Sequence, residues 1–300
     1  MTEPDMLLWV RRTGWATLVT NVGIIVTGGA VRLSGSGLGC PTWPRCTSES
    51  FTPYGATDLH SLIEFGNRML TFILVAVAIA TFVAARRSGR ADLTRLAVVL
   101  GLGIPAQALI GGVTVLTNLN PWVVSLHMVP SLAIVSLAVL FLRRIDHPDP
   151  VVSSGAVVRL AWLVFGVAWA VFYVGTLVTG AGPHAGDSEA PRNGLDTLEM
   201  SQLHADLVFL LLGLSVGLFY ALRATGASAG VHRAAHALLG IEVAQGAVGF
   251  VQYFSGLPEL VVGLHMLGTG LTAAAVTWLL VEVREQPVSV VRPAEPVLAD

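Results

Sequence analysis

Four of the eight histidines, His60, His127, His204 and His265, fall inside long apolar runs, each near the same end of its run. An ionisable side chain there costs about 2.5–3.5 kcal/mol on insertion scales and is normally retained for a task. His204 and His265 sit at matching depth on the sixth and eighth runs. Two neutral imidazoles facing across a helix bundle form the usual axial pair of a low-spin haem. Zinc would need a third or fourth ligand, and none is obvious; a satisfied core histidine is the bland reading of either residue taken singly. His127 has the register of His265, but the place of His204 is held in the first half by Asn67, a poor ligand to iron. An iron in that half would be gripped from one side and open or weakly held on the other, which suits a chemical step rather than electron transfer. His60 lies seven residues before Asn67, about 10.5 Å along a helix, and reads as a polar, proton-path or interfacial group; whether it replaces the missing ligand stays open.

Glu64 stands three residues before Asn67 on the same helical face. It can pair with Arg68 at i+4, or move protons and stabilise charge beside a pocket, since a carboxylate inside a span is costly unless paired or functional. Glu242 has Ile104 as its counterpart and reads as a bundle contact. Arg32, Arg45 and Arg68 are cations at the histidine-bearing end. A haem carries two propionates and Arg binds carboxylates bidentately, so Arg32 and Arg68 are candidate propionate contacts; the other reading is interfacial snorkelling. The only cysteines, Cys40 and Cys46, share the loop Gly39-Cys40-Pro41-Thr42-Trp43-Pro44-Arg45-Cys46. On the extracytoplasmic side a disulfide is the leading reading, a redox-active pair the second. The glycine-rich stretch before it lacks a βαβ context, which removes a dinucleotide site.

These residues need a frame that crosses a bilayer. The chain has 300 residues, 54% hydrophobic and only 12% charged, with a mean hydropathy of +0.72. Soluble domains carry about a quarter charged residues. Eight apolar runs are long enough to span about 30 Å of hydrocarbon, and their continuity excludes a β-barrel. The expected spans are 13–33, 60–84, 97–117, 122–142, 158–181, 202–222, 234–254 and 259–282. The fold class is therefore an all-α integral membrane protein. All 17 basic residues are Arg. Thirteen fall on one side of these spans, and four, Arg32, Arg45, Arg68 and Arg192, on the other. The positive-inside rule then sets both termini in the cytoplasm of a cell-membrane protein, with the long loops outside. The first run is too long for a signal-peptide core and reads as an uncleaved span. No basic stripe exists, which excludes nucleic acid as a partner.

The chain also repeats itself. Ile25-Val26-Thr27-Gly28 matches Leu177-Val178-Thr179-Gly180, and Ser125-Leu126-His127-Met128 matches Gly263-Leu264-His265-Met266. Gln107 precedes His127 by 20 residues, as Gln245 precedes His265. Four spans per half give both halves one orientation, related by an axis along the membrane normal. The expected organisation is two pseudo-symmetric four-helix bundles, each able to host a cofactor between facing helices: an N-terminal half over 1–150, a C-terminal half over 151–285, and a cytoplasmic tail over 286–300.

The stretch GGAVRLSGSGLGCPTWP at 28–44, Glu64-Phe65-Gly66-Asn67-Arg68, and the later histidine pattern together resemble haem A synthase, of the bacterial cytochrome oxidase assembly family. The resemblance runs from about residue 12 to 282. It implies oxidation of haem O to haem A, in which the C8 methyl is hydroxylated twice and loses water to give a formyl group. It implies a haem b on His204 and His265 that exchanges electrons with a membrane carrier, a haem O substrate near His127 and Glu64, and a Cys40–Cys46 disulfide. A haem O synthase and further copies of the chain are candidate partners. Many members have His where this chain has Asn67; the E-x-x-N form is associated with actinobacterial members, so a bis-histidine substrate site does not carry over. The rival reading is a dihaem electron-transfer cytochrome without porphyrin chemistry; a transporter ranks below it, because the polar residues cluster at the outer ends rather than at the midplane.

Overall fold

A computed structural model describes residues 3–53, 58–148 and 154–285. The expected boundary between the halves and the expected tail over 286–300 lie outside these residues. Among them are eight helices: α1 (Glu3–Leu33), α2 (Leu59–Arg87), α3 (Ala91–Leu116), α4 (Pro121–Asp146), α5 (Ala156–Ala181), α6 (Thr197–Ala224), α7 (Ala229–Phe254) and α8 (Glu259–Arg284). All eight are long and apolar enough to cross a membrane, and the chain is an all-α integral membrane protein. Only helices satisfy every backbone group without water, short of a closed barrel.

Most helices outrun the expected spans, α1 by ten residues at its start. Hydropathy marks only the stretch in hydrocarbon, whereas the hydrogen-bonded helix continues into the polar interface. There Arg11 meets Asp146 on α4 at 2.5 Å.

Neighbouring helices close two rings, α1–α2–α3–α4 and α5–α6–α7–α8. Between the rings α4 packs on α8, while α1 meets α8 and α4 meets α5. This exchange of contacts is what a two-fold between α4 and α8 generates. At one end of the seam Arg143 binds Glu282 at 2.8 Å and Glu285 at 3.0 Å, and Arg144 binds Glu285 at 3.1 Å. Trp278 Nε1 donates to the same Glu282. His127, His204 and His265 lie toward the other end.

The repeat is also local. The turn between α3 and α4 carries Asn118 and Leu119 at φ +51° and +58°; that between α7 and α8 carries Gly256 and Leu257 at +75° and +62°. In each turn one N–H returns five residues, Leu119 to the Thr114 carbonyl (2.8 Å) and Leu257 to the Gln252 carbonyl (2.9 Å), which caps the helix end. A left-handed leucine costs roughly 1–2 kcal/mol. Leu119 is held there by burial against loop residues of both halves. These tight turns fix the register of α3 on α4 and of α7 on α8, on which the histidine sites depend.

Candidate functional site

His127, Asn67, His204 and His265 all lie six to eight residues in from the N-terminal ends of their helices α4, α2, α6 and α8, about 9–12 Å along them at 1.5 Å per residue. In the second ring α6 and α8 bring His204 and His265 together, with ring centroids 6.4 Å apart and planes at 70°. The Nδ1 atoms of both are buried and have no hydrogen-bond partner. Two metal–imidazole bonds of about 2 Å set nitrogens about 4 Å apart, and the ring radii bring the centroids to about 6 Å. The observed pair fits a single iron between two imidazoles, and a 70° angle is open to two rings sharing an axis. Glycines provide the walls. A Cβ on Gly175 of α5 would come within 3.1 Å of His204 Cε1, and one on Gly249 of α7 within 3.5 Å of His265 Cε1. Among the described residues no three His, Cys, Asp or Glu side chains converge.

The first ring repeats half of this. His127 packs its ring on Gly111 of α3, 3.2 Å from where a Cβ would stand; Gly111 and Gly249 are repeat positions. Asn67 takes the place of His204, and its Oδ1 is likewise buried without a partner. Gly23, the repeat position of Gly175, has nothing within 4 Å of a Cβ. The first ring thus has one imidazole and, in the matching place, a shorter amide.

Glu64 is 5% exposed, and its carboxylate is fully engaged. Oε1 accepts from Arg68 Nε (3.1 Å) and Nη2 (2.5 Å), and Oε2 accepts from the backbone N–H of Cys40 (2.6 Å). Arg68 donates further to the carbonyls of Thr42, Arg45 and Cys40. Its five N–H groups are all spent on Glu64 and the loop. Cys40 and Cys46 form a disulfide, and both are buried. Within that loop Trp43 lies flat on Gly112 of α3, where a Cβ would stand 2.4 Å from its indole. The loop is thereby fixed over the histidine-bearing end of the first ring, one residue from the glycine under His127.

His60 is exposed, and its Nδ1 lies 2.9 Å from Ser36 Oγ. It borders a cleft of about 410 Å³ between the α1–α2 and α5–α6 loops, lined also by Leu38, Asp58 and Asp187. Arg32 crosses to the second half, donating through Nε to the His184 carbonyl and through Nη2 to that of Thr179 (2.7 Å). Glu242 is 7% exposed and accepts from Ser215 at 2.8 Å, with Oε2 unpartnered.

Sequence reasoning missed the glycine seats and the seat of Trp43. Gly111 and Gly249 follow Gln107 and Gln245 by four residues in both halves, a signal that could have found the first pair. Nothing local marks Gly112, because its counterpart is Phe250.

A family model described as cytochrome oxidase assembly protein matches residues 11–188. A protein named heme A synthase from Geobacillus kaustophilus is 28% identical over 172 residues, 54% of this chain and 54% of its own length. Another of the same name from Listeria monocytogenes is 30% identical over 178 residues, 55% of this chain and 57% of its own. A third, from Geobacillus thermodenitrificans, is 27% identical over 106 residues, covering 35% and 32%. The chain thus spans about half the length of the first and second of these relatives and a third of the last.

Proposed function

The chain belongs to the cytochrome oxidase assembly protein family, and from that premise we propose that it oxidises the C8 methyl of haem O to the formyl group of haem A. The observation that carries this reading is the asymmetry between repeats. One ring presents two half-buried imidazoles with centroids 6.4 Å apart and both Nδ1 atoms buried. The other presents one imidazole and the unpartnered amide oxygen of Asn67. A closed site suits a resident electron carrier, and a half-open one suits a substrate that is changed.

His204 and His265 hold a haem b. Bound there, it supplies one-electron redox chemistry. His127, steadied on Gly111, orients the substrate haem O in the first half. Asn67 withholds a second imidazole from that side. Glu64 acts as a fixed negative charge that stabilises positive charge near the reacting carbon. Its oxygens already accept three N–H bonds, which favours this role over proton transfer. Arg68 and the disulfide hold the loop over the site and keep water out. Arg32 reserves Nη1 for a propionate, its other bonds going to carbonyls. The uneven distribution of the 17 arginines supports a cell-membrane protein with cytoplasmic termini and both sites near the outer face. A membrane electron carrier is the expected redox partner, a haem O synthase the expected source of substrate.

Co-expression with a haem O supply, followed by extraction of membrane haems and mass spectrometry, tests the activity. Formyl-bearing haem A is expected from the wild type. Protein that retains haem but leaves haem O unmodified identifies a dihaem cytochrome instead.

A further inference from the structure

The sequence sets Gln107 and Gln245 each 20 residues before a histidine, on α3 and α7, and no part of the proposed chemistry uses them. In the second ring Gln245 Nε2 donates to the backbone carbonyl of His265 across the α7–α8 contact, at 3.0 Å. Thr269 Oγ1 donates to the same carbonyl at 3.0 Å. In the first ring Gln107, with its amide turned to face complementary partners, donates to His127 Nδ1 at 2.8 Å and to the His127 carbonyl at 3.2 Å, and its oxygen accepts from the Ser131 N–H at 2.7 Å. Ser131 Oγ, at the repeat position of Thr269, donates to the His127 carbonyl at 2.9 Å. Gly111 and Gly249, one turn beyond each glutamine, take the imidazole itself. Each ring therefore carries the same device: an amide on one helix fixes the backbone of the histidine on the next, and a glycine one turn away receives its ring.

A lipid-facing helix pair could gain cohesion from many polar contacts. This one falls on the carbonyl of the histidine in both halves, while the residues around it have diverged. Pro130 of α4 stands where α8 has Gly268, and a Cβ on Gly268 would collide with the Gln245 amide. In hydrocarbon such an interhelical bond is worth roughly 0.6–2 kcal/mol, little for global stability. Its position sets the height and rotation of the imidazole, as groups behind a metal ligand usually do.

We infer that Gln245 and Gln107 are positioning residues, the first setting His265 for the resident haem and the second setting His127 for the substrate. The inference rests on the reading of these histidines as haem ligands. Loss of such a supporting contact typically costs 10–100-fold in metal affinity.

The test is haem loss from detergent-solubilised full-length protein to excess apomyoglobin, read optically, with the low-temperature EPR of the ferric protein alongside. Gln245→Leu is expected to release haem b about tenfold faster and to change the low-spin g values. Gln245→Glu, of equal size but lacking the donating nitrogen, is expected to move the same way. Gln107→Leu is expected to keep the wild-type rate and EPR signal while haem A yield from co-expression falls about tenfold. Wild-type behaviour of both Gln245 variants overturns the inference. Equal acceleration of haem b loss by Gln107→Leu and Gln245→Leu also overturns it, since that marks general helix packing. Wild-type protein without haem overturns the ligation reading itself, and with it the inference.

Discussion

The most exposed claim about the first half is that Glu64 ties the disulfide loop down, and Glu64→Gln measures it. The carboxylate accepts from Cys40 N–H at 2.6 Å and from Arg68 at 2.5 and 3.1 Å. The ion pair is largely sheltered, with side chains 6% and 18% exposed. A glutamine amide has one oxygen to serve both sides, and its NH2 must face a donor on the other. Charge-assisted bonds contribute about 1.5–3 kcal/mol each, and an unsatisfied buried donor costs about 1–3 kcal/mol. Arg68 keeps three loop carbonyls, so the net loss in loop closure is about 2–3 kcal/mol. At 1.4 kcal/mol per factor of ten, the open population rises roughly 30- to 150-fold. Cys40 and Cys46 are 0% and 1% exposed, so reductant reaches the disulfide through that open population. The assay is the time course of reduction by dithiothreitol in membrane vesicles, quenched with a mass-tagged maleimide and read on gels. Reduction at least tenfold faster than in wild type is expected. A rate within threefold of wild type refutes the tether.

Three further outcomes follow from the packing. Asn67→His supplies the imidazole that the first ring lacks, beside a Gly23 with free space; with haem O bound, EPR is expected to show a second low-spin species and haem A yield to fall, whereas an unchanged spectrum contradicts the assigned position. Gly175→Leu drives a side chain into the His204 ring, whose Cε1 already lies 3.1 Å from a Cβ there; the membrane-inserted protein is expected to lose haem b, read by pyridine haemochrome, and wild-type haem content contradicts the seat. Arg143→Ala removes a half-buried partner from Glu282 and Glu285, which keep Trp278 and Arg144, at a cost of about 1–3 kcal/mol; equilibrium denaturation in detergent micelles is expected to show that loss, with haem b unchanged in the folded protein.

Much of this molecule was legible because a bilayer leaves few options. Apolar length alone gives eight helices. The internal offsets pair Gln107 with Gln245 and His127 with His265, and the structure shows those pairs in matching surroundings. Spacing could not reveal contacts that need backbone approach. Glu64 and Arg68 are related by helical spacing, so their pairing was foreseeable, but the third partner, Cys40 N–H, comes from a loop 24 residues away. Trp43 on Gly112 and Arg32 on the carbonyls of Thr179 and His184 are equally long-range. Helices α1 and α4 run past the expected spans to where Arg11 pairs with Asp146, a contact to which hydropathy is blind.

The proposed function requires one iron held between His204 and His265. Optical and EPR spectra of the purified protein, compared with those of His204→Ala and His265→Ala, test it most directly. A low-spin b-type haem in the wild type, lost or turned high-spin in each variant, is the predicted result. The same low-spin spectrum in all three proteins, or a folded wild type with no haem, contradicts it.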